Sequence, residues 1–352
     1  MPVINAEKLE RACARVLAGA GVDDQEAQLV AHSLLLANLM GHDSHGVIRL
    51  IQYIEFLRNG RFKAGQQIQI VRQADASAVV DGGFGFGQTV CHQAMQLAIE
   101  KASARSVGVV ELFNSSHIGR LGEYVETAAE QDMIGIVMCN NHGVGLWQPP
   151  FGGMDRRMSP NPIAVGIPTG RDFPIVVDMT SSVVAEGKIR VKRNQGESIP
   201  EGWAIDGEGN PTTNPEAFYG PPRGAILPFG GIAAHKGYAL GVVVDILSGA
   251  LGGAGCSRDP ESMGGRNGVF IMALDIAAFT GRDRFRQEVD SFIDFLKSSR
   301  MLPGFDQICL PGEIEHRMRR QKEAEGVGLD DETYRQIHEA AQSVEVEIDL
   351  EG

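Results

Sequence analysis

The segment 41–49, GHDSHGVIR, contains an imidazole and a guanidinium that could act together on one small acid. His45, Arg49 and Tyr53 are spaced at i, i+4 and i+8, which predicts one stripe of a helix. An imidazole can pass a proton near neutral pH, and an arginine fork can hold a carboxylate. The pair therefore suits a 2-oxo or 2-hydroxy acid, whose oxygen next to the carboxylate would exchange a proton with the histidine. The structural alternative is a buried histidine near a helix cap, with a surface arginine.

The first 60 residues predict three helices that would position this segment. Asn5 can cap the first helix, the second begins near Asp23 and runs to about Met40, and the third carries the apolar residues of 47–57. His45 and Arg49 are therefore expected at the junction between the second and third helices.

The middle of the chain changes to short β-rich runs separated by helices. Strands are predicted at 78–81, 107–113, 133–139, 163–167 and 175–178, and helices at 88–104, 120–131 and 236–251. A helical pattern returns after about residue 285, and the alternating tail 344–350 predicts an edge strand or an extended arm. This pattern predicts a helical domain built from 1–67 and 286–352, and a mixed α/β domain at 68–285.

Composition narrows the class of protein. The chain has 352 residues and a net charge of −13, which argues against nucleic acid or an anionic membrane as partner. No apolar run approaches the ~20 residues that span a bilayer. The five cysteines are scattered and form no C-x-x-C pair, and the charged N-terminal segment is unlike a signal peptide. A cytoplasmic protein with reduced thiols is expected.

A dinucleotide-binding Rossmann fold is disfavoured, because no G-x-G-x-x-G follows a predicted strand. The segment 114–122 is a candidate phosphate cradle instead, since glycines and Arg120 would meet at a helix N-terminus; an ordinary capped turn is the alternative. Asp178 ends a buried strand, where it could accept ribose hydroxyls or cap a helix at 183–190. Lys236, in the first turn of a helix, either meets an anion or extends into solvent.

A metal site is an alternative interpretation of the histidines in the segment 41–49. His42, Asp43 and His45 could in principle bind zinc, but an H-x-x-H pair alone is a weak signal and no H-E-x-x-H is present. No metal site is expected. A serine hydrolase is also disfavoured, because the chain has no G-x-S-x-G.

Seven motifs together resemble the malate/L-lactate dehydrogenases of the non-Rossmann type, over nearly the whole chain. They are DSHG (43–46) with Arg49 and Tyr53, NSSHIGR (114–120), PFGG (150–153), NPI (161–163), VDMTS (177–181), KGY (236–238) and LPGE (310–313). The likeness is greatest to the hydroxycarboxylate dehydrogenase branch, on the segments 37–46, 117–120 and 234–240.

This resemblance implies a mostly antiparallel mixed sheet in an α/β (α+β) cofactor domain, a helical domain made from both termini, and a homodimer with its active site between subunits. It also implies that His45 is the proton donor or acceptor. The residues implied to contact NAD, or NADP in its place, are Gly119, Arg120, Leu121, Val176, Val177, Asp178, Met179, Thr180, His235, Lys236, Asn267, Gly312, Glu313, Ile314 and Glu315.

We therefore expect an NAD(P)-dependent oxidoreductase that interconverts 2-oxo and 2-hydroxy acids. Arg49, with Ser44 or His117, would hold the carboxylate and polarise the reacting oxygen. Asp178 favours NAD over NADP, because a carboxylate repels a 2′-phosphate. The alternatives are reduction of a cyclic imine acid, a metal-dependent hydrolase using His42, Asp43 and His45, and a sensor that binds NAD(P) without turnover.

Overall fold

A seven-stranded sheet forms the centre of the computed structural model, which describes residues 2–142, 145–258 and 266–350. Its strands are β2 (Gln69–Gln73), β3 (Ser77–Asp81), β4 (Val107–Ser115), β5 (Met133–His142), β6 (Ile163–Ile167), β7 (Ile175–Met179) and β11 (Arg266–Asp275). Their spatial order is β2-β3-β4-β11-β5-β6-β7, in which β3 and β4 are parallel and the other neighbours antiparallel. The predicted mostly antiparallel mixed sheet is confirmed.

All five predicted strands are present, as β3 to β7. The central strand β11, between β4 and β5, was not predicted. Its apolar run 269–274 lacks alternation because both faces are buried, and such a run resembles a buried helix in sequence.

Helices cover the sheet, and helices from the two ends of the chain pack against one another. They are α1 (Ala6–Gly19), α2 (Asp24–Leu39), α3 (Leu50–Arg58), α4 (Gly87–Arg105), α5 (Gly122–Ala129), α6 (Glu186–Asn194), α7 (Pro215–Tyr219), α8 (Ala234–Asp245), α9 (Arg282–Lys297), α10 (Glu313–Glu325) and α11 (Asp331–Ser343). The side chains of Asn5, Asp23 and Asp330 cap α1, α2 and α11. The starts of α1 and α2 are therefore as predicted.

Three apolar clusters hold these elements. One cluster joins residues of 4–86 to residues of 327–350, and Leu9, Leu34 and Ile337 within it are almost fully buried. The same two parts of the chain are also joined by a strand pair, β1 (Val3–Ile4) with β12 (Val327–Gly328). A second lies between the large sheet and α4 and α5, and includes Val110 and Tyr124. Both ends of the chain therefore share one core, and the sheet has another.

The third cluster was not anticipated from the sequence. It includes Ile189, Phe218 and Ile226, and lies beside a small sheet of β8 (Ala204–Ile205), β9 (Pro211–Thr212) and β10 (Ala225–Ile226). Helix α9 is tied to the large-sheet unit, since Arg286 pairs with Asp132. The domain limits at residues 67 and 286 stay a prediction.

Several element limits differ from the predicted ones. Helix α5 begins at Gly122 instead of 120, because the Asp178 carboxylate accepts the Gly122 N–H at 2.8 Å. The helix predicted at 236–251 begins at Ala234 and continues from Asp245 as a π-helical turn, Ile246–Leu251. The tail 344–350 forms no strand: a turn at 344–345 leads into an irregular segment whose Leu350 is buried in the helical core.

Across these described ranges, no helix is long and apolar enough to cross a membrane.

Candidate active site

The segment that carries His45 is a pair of short turns and not the start of an α-helix. Two 3-10 turns, Asp43–His45 and Val47–Arg49, are separated by Gly46, whose backbone is extended at φ −88° and ψ −153°. The prediction of one helical stripe through His45, Arg49 and Tyr53 is therefore wrong, because α3 begins only at Leu50.

Asn38, at the end of α2, fixes the shape of this segment. Its amide donates to Asp43 at 2.7 Å and its oxygen accepts the Val47 N–H at 2.8 Å, so it spans both turns. A Cβ on Gly46 would lie 2.0 Å from the Asn38 oxygen, which explains why a glycine is required there. Asn38 is only 2% exposed. The sequence analysis missed it, although a polar residue inside the apolar run 34–39 was an available signal.

His45 lies between polar and aromatic neighbours. The Ser44 hydroxyl is 3.1 Å from its Nδ1, and its ring stacks on that of His117 with 5.5 Å between centroids. Burial, followed by the positive charge of Arg49, lowers the pKa of His45 from 6.5 to about 3. The imidazole is therefore neutral at physiological pH when no anion is bound.

His117 is the end of a buried hydrogen-bonded chain. Gln88 Nε2 donates to the Tyr53 oxygen at 2.9 Å, which leaves the phenol proton for His117 Nδ1 at 2.7 Å. Burial raises the pKa of Tyr53 to about 12 and lowers the pKa of His117 well below its usual value, so both groups are neutral. The neutral His117 then carries its own proton on Nε2.

Arg49 lies beside these rings and is oriented by neutral groups. Its Nε donates to the Ser44 carbonyl at 2.7 Å, and its Nη1 donates to Gln52 at 2.9 Å. Within the described ranges it forms no ion pair with an acidic side chain, and burial lowers its pKa. A half-buried guanidinium without a carboxylate partner is a candidate to bind an anion.

Two groups of residues that the resemblance implies to bind the cofactor lie close together. One group is on β7 and the other is in the loop before α5. Arg120 makes two bonds to Glu126, of 3.0 and 2.7 Å, and its Nε is 3.9 Å from an Asp178 oxygen. Asn267 lies below this loop, where it accepts the Ile118 N–H at 3.3 Å. The predicted phosphate cradle thus has its arginine already paired, and the first N–H of α5 already bound to Asp178.

The turn before α10 reaches the same edge of the sheet. Val176 N–H donates to the Pro311 carbonyl at 3.1 Å, and Gly312 adopts a positive φ of 86° with a hypothetical Cβ only 3.0 Å from Val176 N. Glu313 is bound by Lys297. The charges of Asp178, Arg120 and Glu315 all act on the half-buried His42, whose pKa is lowered chiefly by burial. Residues 42, 120, 176–178 and 312–315 therefore converge.

The remaining candidates are placed as follows. Thr180 bonds to Ser182, the Leu121 side chain is buried, and Val177, Met179 and Ile314 are partly or largely exposed. His235 is exposed and its ring contacts Phe151, while the neighbouring Lys236 is also exposed in the first turn of α8. None of the described contacts joins His235 or Lys236 to His45.

Helix α6 also lies beside the site, although no motif in the sequence indicates this. A Cβ on Gly187 would lie 3.9 Å from the Ser44 Cβ, so the first turn of α6 faces the segment of His45. Residues 44 and 187 are far apart in sequence, and no local pattern predicts their contact.

Among the described residues, no three His, Cys, Asp or Glu side chains are grouped so that they could hold a metal ion. Asp43 is bonded to Asn38 and His45 to Ser44, so the proposed zinc ligands serve other contacts.

The groups near Asp178 suit a dinucleotide. Arg120 Nε is buried without a hydrogen-bond partner, Asp178 offers a partly exposed carboxylate at a strand end, and Gly312 provides a turn without a side chain. A carboxylate at a strand end suits ribose hydroxyls, and a glycine turn permits close approach of a ligand to the backbone. The residues present therefore fit a nicotinamide cofactor.

Fold and site together define a class: a non-Rossmann α/β protein in which a neutral imidazole lies beside a half-buried arginine that has no acidic partner among the described residues. A sequence profile of the malate/L-lactate dehydrogenase family matches residues 4–338. The chain belongs to this family, and is an oxidoreductase that acts on 2-hydroxy acids.

Relatives with different substrate names align along most of the chain. A malate dehydrogenase of Pyrococcus horikoshii is 38% identical over 340 residues, covering 95% of this chain and 93% of the relative. An L-sulfolactate dehydrogenase of Methanothermobacter thermautotrophicus is 37% identical and covers 99% and 98%. Hydroxycarboxylate dehydrogenase B of Escherichia coli K12 is 35% identical and covers 92% and 89%.

Solved structures agree with this membership. A putative malate/lactate dehydrogenase from E. coli superposes with a TM-score of 0.92 at 34% identity, covering 99% of this chain and 96% of that one. A delta1-piperideine-2-carboxylate reductase from Pseudomonas syringae superposes at 0.83 with 27% identity, covering 97% and 100%.

Proposed function

We propose that this protein is an NAD-dependent dehydrogenase that interconverts a 2-oxo acid and a 2-hydroxy acid, with His45 as the proton donor and acceptor. The observation that carries the proposal is the cluster of His45, His117 and Arg49, in which the guanidinium has no acidic partner among the described residues. A substrate carboxylate would supply that partner.

Arg49 would hold the substrate carboxylate and also control the proton on His45. Its positive charge is one of the causes that lower the pKa of His45. A bound carboxylate cancels much of that charge, so the pKa of His45 rises towards the range in which it can donate a proton. Binding of the acid thereby prepares the imidazole for transfer to the oxygen on the neighbouring carbon.

His117 would position the same oxygen. With Nδ1 occupied by Tyr53, its Nε2–H is the group available to donate to the substrate. Ser44 orients His45 through Nδ1, so that Nε2 of His45 is the atom available for proton exchange. A bound nicotinamide cofactor would supply or accept the hydride.

Asp178 and its surroundings support NAD over NADP. The residues that would hold the cofactor are Gly119, Arg120, Leu121, Val176, Val177, Asp178, Met179, Thr180, His235, Lys236, Asn267, Gly312, Glu313, Ile314 and Glu315. The charge of Arg120 is already balanced by Glu126, so it is poorly placed to neutralise a 2′-phosphate beside Asp178.

Reduction of a cyclic imine acid is the second candidate. It is supported by the likeness to the piperideine-2-carboxylate reductase, and by a site whose carboxylate holder would serve either substrate. The same hydride geometry suits C=N and C=O.

A homodimer in the cytoplasm completes the proposal. Helix α9 and the residues after it expose a row of large apolar side chains, including Phe295 at 75% and Leu302 at 71%, as expected of an interface. All five cysteines are free, which supports a reducing compartment.

Oxidation of NADH and NADPH at 340 nm, across a panel of acids, tests this function. The panel contains pyruvate, oxaloacetate, 2-oxoglutarate, phenylpyruvate and pyrroline-2-carboxylate. Turnover of a 2-oxo acid with NADH is expected. Turnover of the imine alone would favour the second candidate, and NADH binding without any turnover would favour a sensor.

A further inference from the structure

Helix α6 carries basic side chains next to the segment of His45. It contains four basic residues and one acidic residue, and three of the four are paired with glutamates: Arg190 with Glu186, Lys192 with Glu197 and Arg193 with Glu216.

One of these cations lies on the face of α6 that points to the segment of His45. Gly187 faces Ser44, with 3.9 Å between a hypothetical Cβ and the Ser44 Cβ. Arg190 is three residues further on, and residues at i and i+3 share one face of a helix. The charges of Arg190 and of its partner Glu186 both act on the pKa of Arg49, in opposite directions, so this end of α6 lies near the Arg49 guanidinium.

Glu186 holds Arg190 in place and is itself fully engaged. Arg190 Nη2 donates to one Glu186 oxygen at 2.9 Å, and the Tyr219 hydroxyl donates to the other at 2.6 Å. The Glu186 side chain is 15% exposed and that of Arg190 is 58% exposed. The rest of the Arg190 fork is therefore open to solvent, whereas Arg49 is less exposed.

We propose that Arg190 binds a second anionic group of the substrate, so that the preferred substrate is a 2-oxo or 2-hydroxy acid with a distal carboxylate or sulfonate. This inference rests on the proposed function, since it assigns the first carboxylate to Arg49. Arg190 is then the residue that distinguishes a diacid from a monoacid of the same length.

The test compares oxaloacetate with 2-oxobutyrate, which has the same number of carbons and no distal charge. Native protein is expected to prefer oxaloacetate. Arg190→Gln should lower kcat/KM for oxaloacetate by about 10- to 100-fold, as for loss of a charged hydrogen bond, with most of the loss in KM. The value for 2-oxobutyrate should change by less than about 3-fold, and Arg190→Lys should restore part of the loss.

Lys192→Gln is the matched control, because it removes the same charge from the same helix. Lys192 pairs with Glu197 and lies about 140° around the helix from Gly187. Lys192→Gln should change kcat/KM only slightly, and by the same factor for oxaloacetate and 2-oxobutyrate. Circular dichroism checks that each variant is folded.

Three results would overturn the role of Arg190. Native protein would show no preference for the diacid, Arg190→Gln would leave kcat/KM for oxaloacetate unchanged, or Arg190→Gln would lower kcat/KM for both substrates by the same factor. Turnover of monoacids without any diacid preference would refute this inference and leave the proposed function intact. Native protein that turns over no 2-oxo acid would overturn both.

Discussion

The rings of His45 and His117 lie nearly parallel, 13° apart, with their centroids separated by 5.5 Å. Two stacked imidazoles next to the guanidinium of Arg49 cannot both accept protons without strong repulsion. The pKa of each is lowered mainly by burial, and Arg49 adds to the effect. The pair is therefore neutral until an anion enters.

The state of His45 can be followed by NMR titration of its imidazole. Its pKa is lowered from 6.5 to about 3, so the free protein should show no titration of this ring between pH 8 and pH 5. Because the unfolded chain takes up this proton near pH 6.5, the contribution of His45 to stability is complete above that pH and is lost as the pH falls. Oxamate should raise the pKa of His45 in native protein and not in Arg49→Gln. A ring that titrates near pH 6.5 without ligand would contradict this account.

Replacement of His45 by alanine tests its role in proton transfer. We expect kcat to fall by about 10²- to 10⁴-fold, the usual contribution of a general acid or base. His32→Ala is the control, since His32 is an exposed histidine of α2 whose ring contacts Glu10. Turnover close to that of native protein in His45→Ala would remove this residue from the mechanism.

Arg49→Lys tests the carboxylate clamp. A lysine keeps the charge, but it cannot reproduce the bonds that Arg49 makes to Ser44 and Gln52. We expect KM for 2-oxo acids to rise by about 10-fold or more, as for loss of a charge-assisted hydrogen bond. Steady-state kinetics with the preferred acid provides the measurement. An unchanged KM would show that the carboxylate binds elsewhere.

Asp178→Ala should change the choice of cofactor. If Asp178 holds the ribose as proposed, loss of the carboxylate should lower NADH affinity by about 10-fold, whereas NADPH should bind as well as before or more tightly. Fluorescence titration with each cofactor measures this without turnover. Because Asp178 also accepts the Gly122 N–H, the melting temperature of the variant serves as a control for local damage to α5. A parallel loss of both affinities would assign Asp178 a structural role only.

Local sequence patterns predicted most of the elements, but neither the central strand β11 nor the geometry of the site. Asn5, Asp23 and Asp330 were recognisable as caps because capping acts over three residues. The turn at Gly46 could not be predicted from spacing, since it depends on contact with Asn38 nine residues from Val47. The side-chain face of α6 towards Ser44, and the pKa of His45, depend on tertiary packing between distant segments. Neither the face of α6 nor the pKa of His45 can be predicted from a short stretch of sequence.

The shared core of the two chain ends has a consequence during translation. Lys322 of α10 donates to the Asn38 carbonyl at 2.6 Å, and β12 pairs with β1, so the end of α2 that precedes His45 is contacted by a residue synthesised 284 positions later. While a nascent chain is still on the ribosome, the sheet can form around its own core before α10 and α11 emerge. Competence to bind an acid should therefore arise in one late step, after release of the C-terminal helices, and partially synthesised chains should remain catalytically silent.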